Sequence, residues 1–113
     1  MTISVRYAPV MSEPRNVAVS LDLTVVDVLQ FSRFELLLGG ERVGLADYSM
    51  SGNVMTVPHV ETDRTHQGKG FAAVLMNGVI DSLRANDRTI RPVCPYALAY
   101  MRRRPETLDL LAE

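Results

Sequence analysis

The chain has 113 residues, of which 47% are hydrophobic and 22% charged, a composition typical of one globular domain with its own core. A formal net charge of −1 argues against a nucleic-acid-binding role, because nucleic acid is held by a strongly basic surface. The single cysteine, Cys94, excludes an intrachain disulfide and a cysteine-based zinc cluster, and with no long apolar run in the sequence we expect a cytoplasmic protein without metal or membrane partner.

The first quarter of the chain carries two short alternating patterns. Apolar side chains alternate over residues 3–7 and again over residues 17–23, which favours two strands, and prolines at both ends of residues 9–14 interrupt them. We therefore expect a single-domain protein in which residues 1–25 form a strand-like extension to residues 26–113. Pairing of the extension with a second subunit stays open, as does the oligomeric state.

Three strands joined by tight turns are predicted next. Apolar side chains alternate over residues 34–38, Gly39-Gly40 supplies a two-residue turn, and alternation resumes over residues 43–50. A second turn at residues 51–53 leads into a third strand, rich in Val and Thr, over residues 54–61. This pattern indicates antiparallel strands.

The apolar period then changes to that of a helix. A helix of about 16–18 residues, ending at Asn86-Asp87, is predicted by one apolar stripe, which consists of Ala72, Leu75, Met76, Val79, Ile80 and Leu83. A buried strand over residues 89–93 follows, and Pro95 suits the first position of a second helix over residues 96–104. Residues 106–111 add a last turn. This order predicts an α+β sandwich, with helices packed on a mixed, mostly antiparallel sheet.

The segment between the third of these strands and the long helix is the candidate binding loop, and it consists of Gln67, Gly68, Lys69, Gly70, Phe71 and Ala72. Its glycines permit a close approach of the backbone to a ligand, and the helix start offers unpaired N–H groups and a positive dipole end. With the Lys69 charge, this is an anion site suited to a diphosphate. On these six residues alone, a simple glycine-capped turn remains the alternative. A Walker loop is excluded because Gly-Lys is not followed by Ser or Thr.

The pattern Gln67-x-x-Gly70-x-Ala72 resembles the Q/R-x-x-G-x-G/A motif of the GNAT N-acetyltransferase superfamily. Over roughly residues 26–111 the chain is similar to the small YjdJ-type branch, which has a His-Thr-Glu-Val strand end before the loop and a Cys-Pro segment after the next strand. The matching segments are His59-Val60-Glu61-Thr62 and Cys94-Pro95-Tyr96. Two departures stand out: Val60 and Thr62 exchange the branch's Thr and Val, and Arg104 stands where a His is common. These departures concern the details of the substrate side more than the loop of residues 67–72.

This resemblance implies a minimal GNAT fold and acetyl-CoA (coenzyme A) as cosubstrate. The diphosphate would lie on residues 67–72, and the pantetheine arm between two splayed parallel strands that end near Glu61 and Val93. The implied activity is transfer of an acetyl group to a primary amine of a small molecule or peptide. A non-catalytic CoA-binding or protein-interaction module with the same fold is the alternative, because so short a chain leaves little room for a substrate pocket.

Four residues are candidates for the chemistry of acyl transfer. Glu61, at a strand end before the loop, is the candidate base, with a solvated strand-end carboxylate as the alternative. His59, on the same strand face, is a second base, orients Glu61, or is a hydrogen-bonded structural histidine. Cys94 is either a nucleophile, activated at a helix N-terminus, or part of the cofactor pocket, or an inert core residue. Tyr100 lies near where the superfamily places a tyrosine that protonates the leaving thiolate, although a packing role is equally open.

Overall fold

One six-stranded sheet organises the fold. The computed structural model describes residues 2–7 and 22–113 of the chain, and in this part no helix is both long enough and apolar enough to cross a membrane. The strands are β1 (Thr2–Tyr7), β2 (Leu23–Val28), β3 (Arg33–Leu38), β4 (Glu41–Ser51), β5 (Val54–Thr62) and β6 (Thr89–Pro92), and the helices are α1 (Phe71–Ala85) and α2 (Pro95–Arg102). Short 3₁₀ turns occupy Leu29–Phe31, Arg64–His66 and Pro105–Leu110.

The sheet is mixed, as the sequence predicts. Its strands lie side by side in chain order, antiparallel throughout except for the parallel pair of β5 and β6. β1 coincides with the first alternating pattern, and residues 17–21 of the second pattern lie outside the described residues. The expected boundary between residues 25 and 26 falls inside β2, which pairs with β1 on one side and β3 on the other. β1 and β2 therefore continue the sheet that the later strands form.

The hydrophobic core lies between α1 and one face of the sheet. Gly78 brings the α1 backbone directly onto β2, because a Cβ atom at this position would lie 2.5 Å from Cγ1 of Val25. Val25 pairs with Leu36 of β3, so both side chains share the face covered by α1. The helix α2 contributes Ala97 and Met101 to the same cluster of buried side chains. Both helices thus pack into one core.

The other face of β3, β4 and β5 carries polar side chains in two rows. Arg33, Asp47 and His59 lie directly opposite one another on the three strands. Their neighbours in sequence, such as Phe34 and Ala46, are buried in the core, so alternation directs these rows away from α1. The adjacent row, with the same register, consists of Glu35, Leu45 and Glu61. We call the surface formed by these six residues the outer face.

A β-bulge marks the middle of β5. Asp47 pairs with His59 whereas Ser49 pairs with Thr56, so two β5 residues, at positions 57 and 58, stand opposite the single residue 48 of β4. Residue 58 is a proline, which suits a bulge because it has no N–H to donate to a neighbouring strand. The bulge therefore changes the course of β5 at a position fixed by the sequence.

The parallel strands β5 and β6 part at the same point. Their pairing ends with Val57 opposite Pro92, and the carbonyl of Val57 accepts the N–H groups of Val93 at 3.1 Å and Cys94 at 2.9 Å. The chain then enters α2, while β5 continues to Thr62 paired only with β4. A gap between the carboxyl-terminal parts of β5 and β6 follows from this divergence.

A buried carboxylate explains why apolar alternation does not predict β2. Asp27 is 3% exposed on the core side of β2, and the Tyr48 hydroxyl donates a 2.7 Å hydrogen bond to its Oδ1. Burial raises the pKa of Asp27 above its usual range, and this outweighs the hydrogen bond from Tyr48 and the charge of Arg88, which lower the pKa. The polar residue interrupts the apolar pattern although it faces the core.

Replacing Asp27 by asparagine is expected to flatten the pH dependence of stability. Because the pKa is raised in the folded state, the stabilising contribution of Asp27 is complete below the ordinary value of 3.8 and is lost as the pH rises through the raised pKa. The asparagine side chain does not titrate but can still accept the Tyr48 hydrogen bond. Urea unfolding over a pH series should show the stability of the wild type declining relative to Asp27→Asn as the pH increases; parallel curves would contradict the raised pKa.

Candidate active site

A pocket of about 420 Å³ lies where β5 and β6 part. It is bounded by the end of β5, by the loop that enters α1 and by the first turn of α2. Its lining consists of Val60, Glu61, Thr62, His66, Gln67, Gly68, Gly70, Phe71, Ala72, Ala73 and Tyr96. The structure therefore brings most of the predicted loop together with Glu61, the candidate base.

The start of α1 presents a row of backbone donors without acceptors. Within residues 2–7 and 22–113, the N–H groups of residues 68–73 donate to no backbone carbonyl, whereas Gln67 and Val74 on either side both do. Gly68 and Gly70 have φ angles of +83° and +78°, in the left-handed region that glycine adopts without strain. The first turn of α1 contains no acidic residue. Unpaired donors, the helix dipole and the lack of negative charge together make this a site for an anion.

Side chains around the loop hold its shape. The ring of His66 stacks on Phe71 with 5.3 Å between the ring centroids, and its Nδ1 lies 3.3 Å from Nζ of Lys69. Nε2 of Gln67 donates to the carbonyl of Thr62 at 3.5 Å, which ties the loop to the end of β5. Lys69 itself is exposed and does not line the pocket. The loop is thus anchored on both sides by His66 and Gln67, and its backbone donors stay unpaired.

His59 and Glu61 form a close pair at the edge of this pocket. Nε2 of His59 lies 2.6 Å from Oε1 of Glu61, and the two side chains are 53% and 54% exposed. Glu61 lines the pocket, whereas His59 contacts it only through Glu61. The carboxylate therefore stands between the pocket and the outer face of the sheet, where it can accept a proton from a group arriving on that face.

Cys94 and Tyr100, the other two candidates, lie away from the pocket lining. Cys94 is 7% exposed at the N-cap of α2 and packs within the hydrophobic cluster. The hydroxyl of Tyr100 donates to Oδ1 of Asn77 on α1, and the Arg104 guanidinium lies 3.9 Å from the centre of its ring. Tyr100 lines a separate groove between α1 and α2. The structure does not bring either residue to Glu61.

Tyr96 and His66 line the pocket, although sequence reasoning did not select them. Tyr96 lies one helical turn before Tyr100 and is 37% exposed. Burial raises the pKa of Tyr96 above its usual range, and a tyrosine hydroxyl is protonated at neutral pH even without this shift. The Cys-Pro-Tyr segment could have indicated the position of Tyr96. Pro95 occupies the first position of α2, so Tyr96 lies on the first turn of this helix, nearest the gap between β5 and β6.

Comparison with known proteins identifies the family. No curated protein sequence matches the chain. Residues 33–110, from β3 to the last 3₁₀ turn, match the family model described as GCN5-related N-acetyl-transferase. The chain belongs to this family. The resemblance to the GNAT superfamily is therefore confirmed, and this membership supports an acetyltransferase.

Two solved structures show that the family fold is present. The ribosomal-protein-S18-alanine N-acetyltransferase from Escherichia coli superposes with a TM-score of 0.55 at 18% identity, over 63% of this chain and 49% of that one. A GCN5-like putative N-acetyltransferase from Staphylococcus aureus gives 0.54 at 18% identity, over 72% of this chain and 81% of that one. The match thus spans about half the length of the E. coli enzyme. These similarities confirm the α+β fold with helices packed on a mixed sheet.

Proposed function

We propose that this family member is an acetyl-CoA-dependent N-acetyltransferase of the YjdJ-type branch that acts on a primary amine in the cytoplasm. The observation that carries the proposal is the row of unpaired N–H groups at residues 68–73, which borders the same pocket as the exposed carboxylate of Glu61. When bound, acetyl-CoA would supply an acetyl thioester to this pocket.

The residues of the pocket fit this cosubstrate. The backbone amides of residues 68–73 and the positive end of α1 suit a diphosphate, with the Lys69 ammonium nearby. A Cβ atom added at Gly68 or Gly70 would meet nothing within 4 Å, so the space beside the backbone is open to a ligand. The gap beyond Val57 offers an extended path between β5 and β6. We assign the diphosphate to the loop and the pantetheine arm to this gap.

Glu61 is the proposed general base. An alkyl ammonium has a pKa near 10.4, so an acceptor amine must lose a proton before it can attack a thioester at neutral pH. Oε1 or Oε2 of Glu61 takes this proton, and His59, hydrogen-bonded to Oε1, holds the carboxylate in position and passes the proton to solvent. Tyr96 is the pocket residue with a protonated hydroxyl, and we assign it, in place of Tyr100, the donation of a proton to the leaving sulfur.

Titration calorimetry with acetyl-CoA, followed by a thiol-release assay with a panel of amines, tests the proposal. Binding together with amine-dependent release of free thiol supports a transferase. Binding without release for any amine would favour the non-catalytic CoA-binding module. Failure to bind acetyl-CoA would reject the assignment of the loop.

Replacing Cys94 by Ala is expected to leave kcat within about twofold of wild type, because the buried thiol lies outside the pocket. Loss of its packing should lower the free energy of unfolding by about 1 kcal/mol. Thiol release and urea unfolding measure the two effects, with Cys94→Ser as a variant of nearly the same volume. A loss of turnover in both folded variants would instead support an acyl-cysteine route.

A further inference from the structure

We propose that the acetyl acceptor is a protein, and that the segment carrying its amine lies across the outer face of β3, β4 and β5. This inference rests on the proposed acetyltransferase function and adds the class of substrate. It depends on the position of Glu61, on the short connection between β2 and β3, and on the exposed side chains that share this face.

The proton acceptor and the proposed cofactor loop approach the gap from different sides of the sheet. Glu61 belongs to the outer face because it pairs with Leu45, which in turn pairs with Glu35. The loop leads into α1, which packs on the opposite face against Val25. An amine that reaches Glu61 without displacing a cofactor from the loop therefore arrives over the outer face.

Among residues 2–7 and 22–113, no element encloses this approach. The connection between β2 and β3 is only the 3₁₀ turn Leu29–Phe31 and Ser32, so it adds no long helix over the sheet. The side chains of His59 and Glu61 are both more than half exposed. Sites for small molecules usually bury 70–90% of the ligand in a concave cavity. A carboxylate on an open face is better suited to an amine that a larger partner holds in place through contacts elsewhere.

The charges on this face favour a cationic segment near β5. Arg33 donates to Glu35 at 2.8 Å and Arg42 lies 3.6 Å from the same carboxylate, so the positive charge of the two arginines is held at Glu35, on the β3 side of the face. Among the described residues, Asp47 makes no ion pair, although it lies directly opposite His59. Asp47 and Glu61 thus leave negative charge where the amine would arrive, which attracts a protonated lysine and basic neighbours.

An exposed aromatic side chain lies at the far end of the face. Phe31 is 61% exposed, and the guanidinium of Arg33 lies 5.0 Å from the centre of its ring. Two strand spacings separate β5 from β3, about 10 Å, and an extended peptide advances roughly 3.3 Å per residue. Phe31 also lies four residues before Glu35, the β3 residue in the row of Glu61, which adds roughly 10 Å along the strand direction. A segment that crosses the face diagonally with its lysine at Glu61 would therefore place a residue about five positions away against Phe31. We assign an apolar side chain to that position of the acceptor.

Peptide kinetics with wild-type protein and surface variants test this proposal. Two nine-residue, N-terminally blocked peptides with one lysine, carrying either Leu or Ser about five residues away, are compared with spermidine as a free amine. We expect the Leu peptide to have a kcat/KM about tenfold above the Ser peptide and above spermidine. Phe31→Ser should lower kcat/KM for the Leu peptide about tenfold, with spermidine turnover and acetyl-CoA affinity unchanged. Asp47→Asn should lower kcat/KM about threefold for both peptides and for spermidine, because all of them carry a protonated amine, and it should leave acetyl-CoA affinity unchanged.

Leu108→Ser is the matched control, since Leu108 is an exposed apolar side chain, 40% accessible, on the last 3₁₀ turn and away from the outer face. It should leave all kinetic constants unchanged. Equal turnover of spermidine and both peptides, or insensitivity of the Leu peptide to Phe31→Ser, would overturn the inference while leaving the acetyltransferase function intact. Absence of turnover with every amine despite acetyl-CoA binding would overturn both.

Discussion

Gly70→Asp is expected to raise the Kd for acetyl-CoA by at least about 100-fold. Gly70 caps α1 with a φ of +78°, and its carbonyl accepts the N–H of Val74. An aspartate here would place a carboxylate beside the unpaired N–H groups of residues 68–73, where it competes for those donors and repels a diphosphate. Hydrogen bonds to a charged group contribute about 1.5–3 kcal/mol each, so the loss of one or two accounts for this change. Titration calorimetry measures the Kd.

Gly40→Asp provides the matched control for backbone strain. Gly40 has a φ of +87° in the turn between β3 and β4, and a Cβ atom added there also meets nothing within 4 Å. Both variants therefore introduce the same charge and a similar conformational cost of roughly 1 kcal/mol. Gly40→Asp should keep the wild-type Kd. If both variants lost binding equally, global destabilisation would explain the result and the loop would have no special role.

Glu61→Gln is expected to lower kcat by about 10²–10³ with little change in the Kd for acetyl-CoA, because a general base contributes about that factor. Gln is nearly the same size as Glu and can still bind His59, but its amide cannot accept the proton of an ammonium group. The residual rate should increase with pH as more of the acceptor amine becomes deprotonated in solution. Thiol release over a pH series with a fixed amine measures this effect.

Two further variants separate the role of Glu61 from a general effect of charge. Glu41→Gln removes an exposed carboxylate at the start of β4 and should leave kcat unchanged. His59→Gln should lower kcat by only about tenfold, because His59 acts on the carboxylate rather than on the amine. Glu61→Gln with wild-type kcat would remove the carboxylate base from the mechanism.

The sequence predicts the elements that follow simple periodicity. The apolar stripe that begins at Ala72 locates α1 to within one residue at its start, and the hairpin turn at Gly39-Gly40 separates β3 from β4. By contrast, β2 is obscured because Asp27 occupies a core position and is stabilised there by Tyr48, 21 residues away. Such a partner is visible only after the strands are paired.

In the candidate site, too, the sequence predicts what residues close together in the chain determine, and it does not predict contacts between residues far apart in the chain. The glycine loop and Glu61 are close in sequence, so their meeting at one pocket follows from the strand-loop-helix order. Tyr96 and Tyr100 occupy the same face of α2 about 6 Å apart along the axis, and only the contact of Tyr100 with Asn77 reveals which of them lies away from the gap. Cys94 likewise has the sequence context of an activated thiol, but it packs into the core.

The bulge in β5 also bears on self-association. Beyond Val57, β5 has a strand partner on only one side within the described part of the chain. An uncovered strand edge is a template on which other chains can polymerise. His59 and Glu61, in the unpaired part of β5, carry polar side chains that are more than half exposed and favour contact with water. The part of β5 beyond Val57 can therefore remain unpaired on the β6 side, while its polar side chains disfavour aggregation at this edge.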